Sequence, residues 1–304
     1  MDNKKLPQFR SFLDCQFLEF YMKNRHLKTE VLFLGLTLTL GLVGCTGASG
    51  QPASTRVPDG YKLVWSDEFD GQGLPNSKKW QFDTRANKAL WWHNERQYYA
   101  RGRTENTRLE NGNLIVEVRK EALSNEGDWA GQEYSSARLI TEGHASWKYG
   151  YFDIRAKLPC GRGVWPAFWL LSDGGSWPKD GEIDIMEHVG HEPNKVHSTL
   201  HTYDTEHGGP KLSGATYAAD VCGQFHNYQM DWRADTISFF VDDRLVYTAQ
   251  KPKNGSYDSW PFDHRFYLLI NVAVGGAWGN AQGIDPQAFP TRMEVDYVRV
   301  YQAK

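Results

Sequence analysis

From about residue 60 onward, apolar and polar side chains alternate with a period of two, the pattern of strands with one face in a core and the other turned outward. Asn113–Lys120 (NLIVEVRK) sets Leu114, Val116 and Val118 against Glu117 and Arg119. Tyr151–Leu158 (YFDIRAKL) sets Phe152, Ile154, Ala156 and Leu158 against Asp153, Arg155 and Lys157. Further strands are predicted over Val164–Leu171, Val196–Tyr203, Ile237–Val241, Phe266–Val274 and Met293–Tyr301, separated by clusters of Gly, Asn, Asp and Pro. No window of about twelve residues carries a convincing helical stripe. Closely spaced strands without crossover helices predict an all-β fold, a large antiparallel β-sandwich or jelly roll, as one domain over 58–304.

One stretch breaks this pattern. Val31–Gly44 (VLFLGLTLTLGLVG) is a continuous apolar run of 14 residues ending at Cys45. That is short for a bilayer span but suits the core of an export signal, and MKNRHLK from Met22 supplies its positive flank. Residues 1–44 are therefore expected to be a signal peptide, with Met22 as the expected start of translation. Leu42-Val43-Gly44-Cys45 resembles a bacterial lipobox, which implies lipidation of Cys45. Thr46 stands where an aspartate is linked to inner-membrane retention, so the expected address is the outer membrane or cell surface. Residues 46–57 (TGASGQPASTRV) then form a flexible tether.

Composition narrows the function classes. The chain has 304 residues, 34 of them Lys or Arg and 37 Asp or Glu. Removing the 6 basic and 4 acidic residues of 1–44 leaves 28 and 33, a net charge of −5. Such a balance argues against nucleic-acid binding, which needs a basic face. A hydrophobic fraction of 40% with 23% charged residues excludes wholesale disorder. The unusual quantity is aromatic: 12 Trp, 15 Tyr and 15 Phe, 42 in all, beside 29 Gly. That is more ring surface than turns and core require, and it suits a ligand such as a sugar. Export would leave Cys160 and Cys222 in an oxidising compartment, where they either pair or remain buried thiols; their spacing does not choose.

The chemistry concentrates in Gly181–His188 (GEIDIMEH), where three carboxylates fall on one strand-like stretch. An ordinary buried strand would avoid this, because each unpaired buried charge costs several kcal/mol. Glu182 and Asp184 project to one face, and Ile183 and Ile185 to the other. Glu187 would point the wrong way unless one extra residue, a β-bulge near Met186, turns it back. Two glutamates on one face suit retaining glycoside hydrolysis, in which carboxyl groups about 5–5.5 Å apart act as nucleophile and as acid then base. On a straight strand the two Cα atoms would be ~16 Å apart, so bulge, curvature and long side chains must converge. The spacing alone leaves an acidic exposed strand or a calcium site as alternatives.

The context of this segment resembles glycoside hydrolase family 16, in particular its laminarinase-like endo-β-1,3-glucanases. The residues that carry the resemblance are GEIDIME (181–187), GVWPAFWLL (163–171), SWP (176–178), LVWSDEFDG (63–71), NERQYY (94–99), VHSTLHT (196–202), NVAVGGAWG (271–279) and MEVDYVRVY (293–301). They occur in the family's order and span nearly all of 60–301. The resemblance implies a curved, concanavalin A-like jelly roll with a concave cleft. It implies Glu182 as nucleophile, Glu187 as general acid/base and Asp184 as the residue that tunes the nucleophile. It also implies cleavage of internal β-1,3-glucosidic bonds of laminarin-type glucans, without a catalytic cofactor. The alternatives are the same chemistry on agarose, another galactan or a mixed-linkage glucan, or a non-catalytic glucan-binding lipoprotein; the intact carboxylate set argues against the last. A monomer is expected.

By the same resemblance Asn94, Glu95 and His201 are cleft positions, and Arg138 either contacts sugar near the cleavage point or pairs with a carboxylate. Trp165 and Trp169 share a face with Ala167 and either stack on glucosyl rings or belong to the core. Trp278 is expected to wall a subsite. His197 and His201 would lie about 13 Å apart on a strand, too far to share a metal. A structural calcium on the convex face would draw on Glu68, the Gly112 carbonyl and Asp296.

Overall fold

The computed structural model describes residues 56–304, so the expected signal peptide, Cys45 and nearly all of the tether lie outside the described residues. In chain order the strands are β1 (Tyr61–Asp67), β2 (Gln81–Phe82), β3 (Gln97–Tyr99), β4 (Thr107–Glu110), β5 (Asn113–Val118) and β6 (Tyr134–Ser136). They continue with β7 (Arg138–Ile140), β8 (Gly150–Lys157), β9 (Val164–Ser172), β10 (Glu182–Glu187), β11 (Lys195–His201) and β12 (Leu212–Tyr217). The last are β13 (His226–Trp232), β14 (Thr236–Val241), β15 (Arg244–Gln250), β16 (Phe266–Val274) and β17 (Thr291–Ala303). Two four-residue helices, α1 (Tyr203–Glu206) and α2 (Gly276–Gly279), punctuate the loops.

All the strands but β3 and β6, which form a separate parallel pair, build a two-layer antiparallel sandwich. One sheet of seven strands runs β12-β11-β10-β9-β16-β7-β2 and carries the groove described below. The far sheet of eight runs β15-β14-β13-β8-β17-β5-β4, with β1 also paired to β17. The predicted alternation is what packs them: Phe152, Ile154 and Ala156 of β8 and Val164, Phe168 and Leu170 of β9 enter one core between the layers. Burying these side chains removes apolar surface from water at about 25 cal/mol per Å². Beyond the predicted strands the structure adds β1–β4, β6, β7, β12, β13 and β15, which are short or weakly alternating in sequence, and it shifts several strand ends by one or two residues.

Tight turns follow from local residues. Asn111 and Gly112 take φ of 54° and 75° between β4 and β5, the left-handed pair that an Asn-Gly hairpin turn needs. Gly181 launches β10 at φ 81°, and a Cβ there would meet Pro261 and Phe262 at 2.9 and 3.0 Å, so only glycine fits. Cys160 and Cys222 form a disulfide, with Cα atoms 5.8 Å apart, inside the usual span for such a bond.

Candidate active site

The expected bulge is present in β10. Against β9, Asp184 pairs with Trp169 but Met186 already pairs with Phe168, and Glu187 with Ala167. Against β11, Asp184 faces Thr199 and Glu187 faces His197, so Ser198 alone spans both Ile185 and Met186. The Ser198 hydroxyl donates to the Ile185 carbonyl at 2.9 Å, satisfying a buried acceptor that would otherwise cost about 1–3 kcal/mol. Ile183, Ile185 and Met186 all enter the core. The result is that Glu182, Asp184 and Glu187 all line one groove of about 750 Å³, a volume within the usual range for ligand sites.

β9, β11 and β16 complete the groove floor. Trp165, Ala167 and Trp169 of β9, Thr199 and His201 of β11, and Asn271 and Ala273 of β16 all face it. β11 alternates cleanly, with Val196, Ser198 and Leu200 buried beneath. Every residue of β16 is buried, because its outer face is the groove floor and the small Ile140–Tyr267–Leu269 cluster.

Each glutamate receives an indole N–H. Trp165 donates to Glu187 Oε1 at 3.0 Å and Trp177 to Glu182 Oε2 at 2.5 Å. His201 Nε2 lies 3.1 Å from Asp184 Oδ2, and its Nδ1 lies 2.7 Å from Glu206 Oε1. Burial, then repulsion from Glu182 and Glu187, pushes the Asp184 carboxyl well above its ordinary value, opposed by His201. Burial also raises Glu187, to about 7, with His201 and the Trp165 indole partly opposing and Glu182 reinforcing. For His201 burial works against the charged ring, but Asp184, the charge of Glu182 and, last, the bond to Glu206 outweigh it and raise it to about 11. A carboxyl held protonated near neutrality beside one on the same face is the arrangement that separates acid from nucleophile.

The remaining expected residues divide. Glu95 lines the groove, takes a bond from Gln97 at 2.6 Å, and is raised to about 7 by burial. Asn94, at φ 57°, is exposed and is not among the groove-lining residues, because the short turn at 92–94 points it outward. Arg138 is sandwiched 4.7 Å from both the Trp91 and Trp169 rings and lies 3.0 Å from Asp83. Its guanidinium therefore braces the groove wall, and one Trp169 face is taken by it, while the Trp169 indole donates to Asn271 at 2.7 Å. Trp278 is a wall, packed edge-on against Trp165 (5.6 Å) and His197 (4.8 Å). His197 points its Nε2 at Glu192, 2.8 Å away, not at His201.

Three groove residues carry roles that sequence reasoning did not assign. Trp177, in the SWP block, and Trp92 belong to the aromatic surplus expected at the cleft, but their meeting at 4.9 Å from two separate loops carried no signal of its own. Glu206 had no signal beyond its place five residues after His201.

Glu182, Asp184 and His201 bring one donor atom each within 4.8 Å, the only such grouping among the described residues. Both His201 nitrogens already face carboxylates, which leaves no lone pair for a metal. The residues expected to hold calcium are engaged by other partners. Glu68 grips Arg299 in a fork at 2.7–3.2 Å, Asp296 holds Arg155 at 2.6 Å, and Gly112 sits in the β4–β5 turn. Carboxylates already neutralised by arginine do not fit a calcium donor set.

A groove lined with indoles around three crowded carboxylates is the site of an enzyme that cleaves carbohydrate. The comparisons agree and narrow the class. Residues 94–299 match the model of the glycosyl hydrolases of family 16, and the chain belongs to that family. A beta-glucanase of Rhodothermus marinus is 46% identical over 271 residues, covering 86% of this chain and 91% of the relative. A solved non-specific endo-beta-1,3(4)-glucanase of family 16 is similar with a TM-score of 0.79 at 51% identity, covering 83% of this chain and 95% of its own. The laminarinase from Rhodothermus marinus has a TM-score of 0.74 at 47% identity, covering 80% and 97%. The protein is a glycoside hydrolase with an all-β jelly-roll fold.

Proposed function

We propose that the protein hydrolyses internal β-1,3-glucosidic bonds of laminarin-type glucans with retention of configuration, Glu182 acting as nucleophile and Glu187 as acid then base. The observation that carries this is the bulge that turns Glu182 and Glu187 to the same groove while their environments differ. Glu187, protonated below about pH 7, gives its proton to the glycosidic oxygen as Glu182 attacks C1, forming a glycosyl–enzyme ester. Glu187, now a carboxylate, takes a proton from water as that water attacks the ester, and the second inversion restores the β-anomer. Asp184 and His201 adjust the charge beside Glu182. Trp165, Trp177, Trp278 and Glu95 supply the walls for a glucan chain.

The experiment is a panel of laminarin, mixed-linkage β-glucan, agarose and carrageenan with product sizing. Rapid loss of laminarin chain length with release of short oligosaccharides is expected. Exclusive action on a galactan, or on none of the panel, would overturn the assignment.

The same proposal places the enzyme on the bacterial envelope through a lipid on Cys45, with residues 46–57 as the tether. Retention of labelled palmitate by the native chain and its loss in Cys45→Ala tests this. The catalytic domain is proposed to act as a monomer without a cofactor.

A further inference from the structure

His201 is held from two sides by carboxylates of different origin. Its Nε2 faces Asp184 of β10 at 3.1 Å, and its Nδ1 faces Glu206 of α1 at 2.7 Å. A neutral imidazole offers one N–H and one lone pair, and would turn the lone pair toward one of these two acceptors. The Nδ1–Glu206 contact is a hydrogen bond, whereas the Asp184 oxygen facing Nε2 is buried without a hydrogen-bond partner; an imidazolium, with a proton on each nitrogen, suits both sides. The geometry therefore calls for a cation in the groove, and Glu206 is the half of that grip which no motif supplied.

Glu206 is placed with care by the local chain. Thr202, directly after His201 and fully buried, caps α1: its hydroxyl accepts from the Thr205 N–H at 3.1 Å, while the Thr205 hydroxyl accepts from the Thr202 N–H at 2.9 Å. The Glu206 N–H donates to the Thr202 carbonyl at 3.2 Å. This reciprocal cap fixes the short turn and brings the Glu206 carboxylate back to the ring that precedes it. The other groups facing His201 are Glu182 and Glu187 of β10 and the Trp177 ring with its centroid 6.4 Å away. Among them His201 is the only cation.

We infer that Glu206 is a positioning residue that holds His201 as an imidazolium against Asp184, and so keeps the carboxylate cluster working on the alkaline side of its range. The inference rests on the roles proposed for Glu182 and Glu187. With Glu187 protonated as the acid, the cation offsets the charge of Asp184; without it Glu182 must ionise against an uncompensated Asp184, and a nucleophile that keeps its proton cannot attack. At low pH the ring is protonated without help from Glu206. As pH rises, only the second carboxylate holds the proton in place.

Two readouts on the full chain test this, with Glu206→Gln to remove the charge at constant size and Glu206→Asp to restore it. In ¹⁵N-labelled native protein both His201 ring nitrogens should stay protonated above about pH 9, and in Glu206→Gln the ring should lose its proton by about pH 7.5. In parallel, the ratio of variant to native kcat/KM should fall at least about tenfold further between about pH 5.5 and about pH 8.5, with Glu206→Asp recovering most of it. A ratio that does not change with pH, or a His201 titration that Glu206→Gln leaves in place, would overturn the inference. Failure of the glucanase reading would appear separately, as native protein inactive on laminarin, and would leave the ¹⁵N result standing.

Discussion

Around the far sheet, carboxylates are neutralised where they stand: Glu68 by Arg299, Asp296 by Arg155, Glu117 by Arg108 and Arg119, Glu294 by Lys157 and Arg292. Across the sandwich, Glu182, Asp184 and Glu187 share one histidine and two indole N–H groups. The same residue type thus serves two ends. Paired carboxylates leave strands free to register with one another, whereas crowded ones lift each other's proton affinity until one stays protonated near neutrality. The difference teaches where chemistry sits: it lies on the face where the fold leaves negative charge uncompensated.

The sharpest break of this contrast comes from the groove itself. Glu182→Gln should lower kcat on laminarin on the order of 10⁴-fold or more, and Glu187→Gln about 10²–10⁴-fold, while thermal unfolding stays within a few degrees of native. Hydrolysis that persists at near-native rate in either variant would show the crowded cluster to be structural. A smaller change sharpens it. Trp165→Phe removes the indole N–H that favours the ionised Glu187. The alkaline limb of kcat/KM should then move upward by about half a unit to one unit; a limb that stays put would separate Trp165 from the acid/base step.

The far sheet contains one exception that extends the comparison. Asp153 of β8 is fully buried and, although Asn227 and Tyr297 donate to it at 2.9 and 3.2 Å, burial raises it to about 6. Its folded value lies above its ordinary one, so its stabilisation is present below about pH 4 and lost as pH rises through 6. Asp153→Asn removes that dependence. Relative to the native chain it should gain about 2–3 kcal/mol in urea unfolding on going from about pH 4 to about pH 7; parallel curves for the two chains would contradict the assignment. Smallest of all, Glu68→Gln at the partly exposed Arg299 pair should cost less than about 1 kcal/mol, read as a shift in the urea midpoint.

Much of this was legible from residue order. Phe266–Val274 was predicted as a strand and is β16 to the residue. The bulge was legible because a polar–apolar alternation that must put Glu187 beside Glu182 cannot do so with five intervening steps unless one extra residue is absorbed. What was not legible depends on side chains that meet across sequence. Arg138 is clasped by Trp91 and Trp169 from three separate segments, so its choice between sugar and carboxylate could not be read from its own neighbours. The arginine partners of the expected calcium ligands were hidden for a similar reason: Glu68 and Asp296 are acidic in the right order, but Arg299 and Arg155 that pair with them lie elsewhere, on β17 and β8. Glu206 was missed because a four-residue helix leaves no periodic trace.

The central claim is that the β10 bulge makes Glu182 the nucleophile of a retaining enzyme, and trapping the ester tests it most directly. Incubation with a 2-deoxy-2-fluoro-laminaribiosyl fluoride, followed by peptide mass spectrometry, should find the sugar on Glu182 and activity lost in step with labelling. A label on Asp184 or Glu187, or turnover to the α-anomer with no labelled peptide, would contradict it.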